Sequence, residues 1–335
     1  MVSGLPAVPK WTFKAIRIAF GLAVLVLLVI KVGHAKPLER LAAAKPLFIM
    51  LAVVVVIIDG LVRVWNWTQL IRAMHLVPEV SYSRVVSISW AGGFLGQVVP
   101  STAGTDAIRA MIAARTIGGP VSAHAAAIVM LNALSLVVGC TTGVACALWL
   151  AARGDGHGVR LLALVNFVGA IAVAATCYWL LRSQRGLLLR VLRRMHGPWR
   201  KLRRPIRRFA HKMLVFERFH VNLVPIVAVA FLTLITRATV YAMVGLAVGV
   251  VLPFPAWLAL VPAYTLSGLI PYSVSGYGGD QAAIVYMLTG FGASASGALV
   301  FALIVPIMAM TYNMIGGLPI LFGRIDTRAR LPASY

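Results

Sequence analysis

The sequence predicts an all-α polytopic membrane protein with about six full spans and two re-entrant hairpins, arranged as an inverted repeat of span, broken hairpin and span. Three observations predict it. Hydrophobic residues make up 61% of the 335 and charged residues only 12%, with a mean hydropathy of +0.92, whereas a soluble domain needs roughly 25% charged residues to wet its surface. Apolar runs of about 20 residues, the length of one crossing, recur along the chain. Two further apolar stretches, one in each half, are interrupted by glycine and proline.

In chain order, the first run covers 15–33. No small-residue cleavage site follows it, so it reads as a retained span rather than a signal peptide. A second run covers 46–64, and then comes the interrupted stretch 85–117, broken by Gly92, Gly93, Gly96, Pro100 and Gly104. Spans at 121–151 and 160–181 precede a basic loop at 182–220. The second half repeats the order: a span at 222–248, an interrupted stretch at 252–292 broken by Pro262, Gly268, Pro271, Gly276, Gly278 and Gly279, and a span at 295–321. Pieces of about 10 to 20 residues need not each cross, and irregular backbone survives at membrane depth only where protein or a watery cavity satisfies its amides. Hence the expectation of re-entrant hairpins.

Laying Pro100 on Pro271 exposes the repeat. Gly104-Thr105-Asp106 then corresponds to Gly278-Gly279-Asp280 with a three-residue offset, and each copy goes on to a glycine (Gly119, Gly292), a serine (Ser122, Ser294) and a long apolar helix. The chain therefore reads as a single transmembrane domain over 1–335, with repeat one at 46–151 and repeat two at 222–321, joined by the 160–181 span and the 182–220 loop.

Charge sets the expected orientation. Lys and Arg number 31 against eight acids, for a net charge of +23, and thirteen of the basic residues lie between Arg182 and Arg218. A loop that basic, with Glu217 its only acid, belongs on the cytoplasmic side. Counting outward places both termini in the cytoplasm, in agreement with Lys10, Lys14 and Arg17 at one end and Arg324, Arg328 and Arg330 at the other. The two repeats then enter the membrane from opposite sides. The loop 31–45 disagrees, because it carries Lys31, Lys36, Arg40 and Lys45 on the side expected to be periplasmic. Positive-inside bias and anionic headgroups account for the basic block, so nucleic acid is not expected as a partner.

Within that block Trp199, Leu202, Ile206, Phe209, Met213 and Phe216 recur at steps of three and four, with Arg203, Arg204, Arg207 and Arg208 between them. This pattern fits an amphipathic helix lying in the membrane interface. A solvated topology signal is the other reading.

Few ionisable residues fall at membrane depth, where each costs about 2.5–3.5 kcal/mol or more at a helix centre. Asp59 and Arg63 are four apart on one helix face, and a local ion pair explains them without a substrate. Arg115 either reaches the headgroups by its long stem or serves a site. The run from Gln97 through Pro100 and Gly104 to Asp106 and Arg109 lets the chain turn at depth and start a helix, whose free amides favour an anion. Asp106 and Arg109 then share a face. Either Arg109 meets a lipid phosphate while Asp106 holds it in place, or the two pair purely for stability. The second hairpin offers Pro271, Ser273, Tyr277, Gly278 and Asp280, a set rich in hydroxyls with no basic residue. Arg237, in the preceding helix, either pairs with Asp280 or with another helix.

No catalytic constellation is visible: no Ser-His-Asp set, no paired carboxylates in one segment, no His-Glu-x-x-His. Cys140, Cys146 and Cys177 sit in apolar runs without Cys-x-x-Cys spacing, and His124 stands alone in a span, so neither a metal nor a cofactor is expected. A lone His there is more often a hydrogen-bonded core residue.

The phrases Val99-Pro100-Ser101-Thr102-Ala103-Gly104-Thr105-Asp106-Ala107-Ile108-Arg109-Ala110 and Pro271-Tyr272-Ser273-Val274-Ser275-Gly276-Tyr277-Gly278 resemble the two motifs of the lysylphosphatidylglycerol synthase transmembrane-region family, over about residues 45–321. That resemblance implies translocation of a lipid (a phospholipid, a hopanoid or a polyprenyl-linked lipid) across a bacterial cytoplasmic membrane, with Pro100, Gly104, Asp106 and Arg109 matching the first motif. It implies membrane lipids with an anionic headgroup as partners. A second copy of the chain or an enzyme of lipid synthesis is also compatible. Two departures stand out. Asp280-Gln281 replace the Arg-Glu pair often found after the second motif, and the sequence ends about ten residues past its last expected span, so aminoacylation is not expected of it. Two other readings stay open: an enzyme or accessory subunit of polyprenyl-phosphate-linked glycosylation, and a membrane scaffold for lipid synthesis.

Overall fold

The structure is a computed structural model and describes residues 37–73, 79–97, 102–153, 157–183, 223–268 and 279–317. The described residues form ten α-helices: α1 (Pro37–Ala42), α2 (Pro46–Ala73), α3 (Tyr82–Gly96), α4 (Thr102–Thr116), α5 (Val121–Ala151), α6 (His157–Ser183), α7 (Leu223–Val248), α8 (Phe254–Ser267), α9 (Gly279–Gly290) and α10 (Ala295–Ile315). The all-helical polytopic architecture expected from the sequence is present. The expected span at 15–33, the interfacial helix with Trp199, Arg203, Arg204, Arg207 and Arg208, and Pro100, Pro271, Ser273, Tyr277 and Gly278 lie outside the described residues.

Among the described residues four helices, within α2, α5, α7 and α10, are long and apolar enough to cross a membrane. At 1.5 Å per residue, the 28 residues of α2 and the 31 of α5 exceed the roughly 30 Å hydrocarbon thickness. Outward faces of α2 and of α6 carry bare apolar side chains at helical spacing, such as Leu47, Met50, Leu51, Val54 and Ile58 on α2 and Leu164, Phe167, Val168 and Ile171 on α6. In water such stripes would drive aggregation, whereas against lipid they are the favourable surface. The interrupted stretches each resolve into two short helices, of 15 and 15 residues in the first half and 14 and 12 in the second. These reach only about 18–22 Å, less than one crossing.

Helix termini follow local chemistry. Pro46 opens α2 at a position whose amide has no helical partner in any case. Gly118 and Gly119 lead into α5 and Gly292 into α10, all at positive φ (85°, 80° and 83°), a backbone state glycine adopts without steric cost. Ser294 caps α10 by accepting from Gly297 N, while Pro120 before α5 gives no side-chain cap. α1 packs against α10, and just after it Lys45 N donates to Ala247 O, near the end of α7, at 3.0 Å. The Arg40 guanidinium lies beside Gly249, at the carbonyl end of α7, where a cation is favoured by the helix dipole.

The core has two parts. One is centred on Trp257 and Phe301, whose rings stack at 5.4 Å, with Tyr241 edge-on to Phe301 at 5.6 Å. The other gathers Val64, Trp67, Leu70, Ile71, Val85, Ile88, Ala110 and Ala113 from α2, α3 and α4. α2 packs along α7, and this contact joins the first half of the chain to the second.

Candidate functional site

Helices α3 and α4 run antiparallel in close contact, Gly92 opposite Arg109 and Gly96 opposite Thr105. A side chain at position 92 would occupy the space of Arg109 Cγ and stand 3.0 Å from its Cα, so glycine is what lets the arginine stem lie flat against α3. Arg109 Nη1 donates to Asp106 Oδ1 at 3.0 Å, one helical turn away, and Nε reaches Ser89 O at 3.4 Å. Asn132 of α5 donates to the other carboxylate oxygen, Asp106 Oδ2, at 2.8 Å. Asp106 is therefore gripped from both sides, and Arg109 through it.

On α2, Asp59 gathers a second cluster. Arg63 Nε lies 3.1 Å and Arg237 Nε 3.6 Å from the same oxygen, Oδ2, while the Thr236 hydroxyl donates to Oδ1 at 2.8 Å. Arg237 thus pairs across the α2–α7 contact with Asp59, the helix-partner alternative, and not with Asp280. The physical reason is that α7 lies along α2, which brings Asp59 to its side. Asp280 is buried in the first turn of α9, where the amide end of the helix favours a carboxylate. The local ion pair of Asp59 and Arg63 forms as its spacing implied, and Arg63 also lines a cavity.

That cavity has a volume of about 80 Å³. It is lined by Gly60, Arg63, Val64, Asn66 and Trp67 of α2, Ser89 of α3, Asp106 and Arg109 of α4, Ile128, Leu131, Asn132 and Ser135 of α5, Thr233 of α7 and Tyr312 of α10. One water needs roughly 10–15 Å³, so the space takes several waters or one small polar headgroup. Both halves of the chain contribute to the wall. Tyr312 reaches it because Gly60 leaves room for the phenol hydroxyl, which also accepts from Trp90 Nε1 at 2.8 Å. The neighbourhood holds three guanidiniums (Arg63, Arg109, Arg237) against two carboxylates (Asp59, Asp106), leaving one positive charge in excess.

The chain matches the family described as the lysylphosphatidylglycerol synthase TM region over residues 14–317. It belongs to that family. No curated protein matches it. For this lysylphosphatidylglycerol synthase TM region member, the first-motif residues Asp106 and Arg109 meet at the cavity, Gly104 lies in the first turn of α4, and Gln97 Nε2 reaches Met310 O at 3.5 Å, beside α10. Arg115 is half-buried near the end of α4, away from the cavity lining. His124 is fully buried in α5 and its Nε2 donates to the Gly118 carbonyl at 2.8 Å, the hydrogen-bonded core role expected of it, while its Nδ1 is buried without a partner among the described residues. Cys140 and Cys146 are free. Sequence reasoning missed Asn132, Ser89, Asn66 and Tyr312, none of which belongs to a local motif. A polar residue such as Asn132 inside an otherwise apolar span was the one available signal for that helix.

Proposed function

We propose that this protein moves a membrane lipid between the leaflets of a bacterial cytoplasmic membrane, passing the headgroup through the cavity while the acyl chains stay in the bilayer. The observation that carries the reading is the cavity: a small space of mixed polar and apolar lining with an excess cation beside it, walled by both halves of an all-helical membrane protein. Membership of the lysylphosphatidylglycerol synthase TM region family supports a phospholipid-related cargo. In this proposal the halves are inverted copies. The matching order of long, short, short and long helices in α2–α5 and α7–α10 supports it, as do the positive-φ glycines before α5 and α10. The short pairs α3/α4 and α8/α9 dip in as re-entrant hairpins from opposite faces, and both termini are cytoplasmic. Alternating access of such repeats around a fixed midplane site is a known route for transport. No bond of the lipid is made or broken.

The test is reconstitution of the purified chain into liposomes carrying a fluorescent phospholipid, read by the fraction of label open to a membrane-impermeant reductant. The expected result is exchange of inner-leaflet label, with Arg109→Ala slowing it about tenfold or more, equivalent to about 1.4 kcal/mol. Exchange by Arg109→Ala at the parental rate would remove the site from the proposal.

A further inference from the structure

We propose that Arg63 is a second, movable ligand for the phosphate of a phosphodiester lipid, working against Arg109 as the fixed one; this rests on the lipid-transport reading and narrows its substrate. Arg63 and Arg109 line the same cavity from different helices, and their settings differ. Arg109 is held on three sides: by Asp106, by the Ser89 carbonyl and by the close approach of α3 at Gly92. Asp106 is itself fixed by Asn132. Arg63 has a single contact of this kind, the 3.1 Å approach of its Nε to Asp59, which is not aligned as a hydrogen bond. No described residue accepts a hydrogen bond from its terminal nitrogens, and its side chain is 41% exposed against 22% for Arg109.

Asp59 does not depend on Arg63. Withdrawing a cation from a buried carboxylate is ordinarily costly because the charge is left uncompensated. Here Arg237 remains on Asp59 Oδ2 and the Thr236 hydroxyl on Oδ1. Arg63 can therefore leave Asp59 for a ligand and return to it. A phosphodiester carries one negative charge and two non-bridging oxygens. It would cancel the single excess positive charge of the cluster and offer one oxygen to each guanidinium, whose planar donors suit phosphate geometry. A site that must bind and then release its cargo gains from one rigid arm and one that swings.

The experiment measures thermal unfolding of the purified full chain in detergent. The probes are dioctanoylphosphatidylglycerol, dioctanoylglycerol with the same chains and no phosphate, and inorganic phosphate. The expected result is stabilisation by the phosphodiester lipid alone. Arg63→Gln should weaken its apparent affinity about tenfold while leaving the unliganded melting temperature close to the parent's, because Arg237 and Thr236 still hold Asp59. Should Arg63→Gln fail to fold, Arg63→Lys keeps a charge beside Asp59 but loses the planar fork, and the same weakening is expected of it. Equal stabilisation by dioctanoylglycerol overturns phosphate recognition, and equal stabilisation by inorganic phosphate overturns a lipid as its source. Parental affinity in both Arg63 variants overturns the role of Arg63. A chain that binds the phosphodiester as stated yet exchanges no label in liposomes keeps this site and loses the transport reading instead.

Discussion

In the first half of the chain the short helices α3 and α4 close over glycine and enclose an ion pair, Arg109 with Asp106. In the second half α8 buries Trp257, Leu260 and Val261 in an aromatic and aliphatic core, and the buried polar groups at the start of α9 are Asp280 and Gln281. The two pairs occupy the same place in the helix order and have similar lengths, yet one presents a cation to a cavity and the other packs Trp257 on Phe301 at 5.4 Å. The same helix order therefore accommodates two kinds of interior. Burial of charge needs close-fitting polar partners, and burial of rings needs shape. The first pair has the former and the second the latter.

That contrast breaks most visibly at Trp257, which is 1% exposed. Trp257→Ala is expected to cost about 3–5 kcal/mol, read as a large fall in melting temperature of the detergent-solubilised protein. Next comes Gly92→Ala in the first pair. Its methyl group meets the Arg109 stem and backbone, so α3 and α4 must separate, at a cost of about 1–3 kcal/mol. Because the same separation moves Arg109, lipid exchange should fall more than stability does, and a loss of stability without a loss of exchange would undo the contrast between the pairs. The smallest effect is at the exit of the second pair. Ser294→Ala removes the cap on Gly297 N and should lower stability by about 0.5–2 kcal/mol, with exchange per folded molecule unchanged.

The sequence made the long helices legible wherever lipid is their solvent. The ends of α5 at Val121 and Ala151 coincide with the apolar run that announced it. The span expected at 46–64 continues to Ala73 instead, because Asn66, Trp67 and Thr68 are buried among helices where hydropathy expects water. In the other direction, the run expected to reach 321 gives a helix that ends at Ile315, where Gly316 and Gly317 form a turn against Trp90 and Phe94 of α3. Of the site, the pairing of Asp106 with Arg109 is written into their three-residue spacing. Asn132 as its second partner, and Arg237 as a partner of Asp59, are not. Both depend on which helix lies beside which, and a local window of sequence carries no record of lateral neighbours.

Position 60 has a reach beyond its own helix. The Tyr312 hydroxyl sits in the hollow left by the missing side chain of Gly60 and is tied there to Trp90. Any larger residue at 60 must turn the phenol aside, into the cavity or toward the α3–α10 seam. The size of the cavity and the tightness of that seam are thus set together by a single residue. One substitution there would reshape the cavity without altering a charged residue.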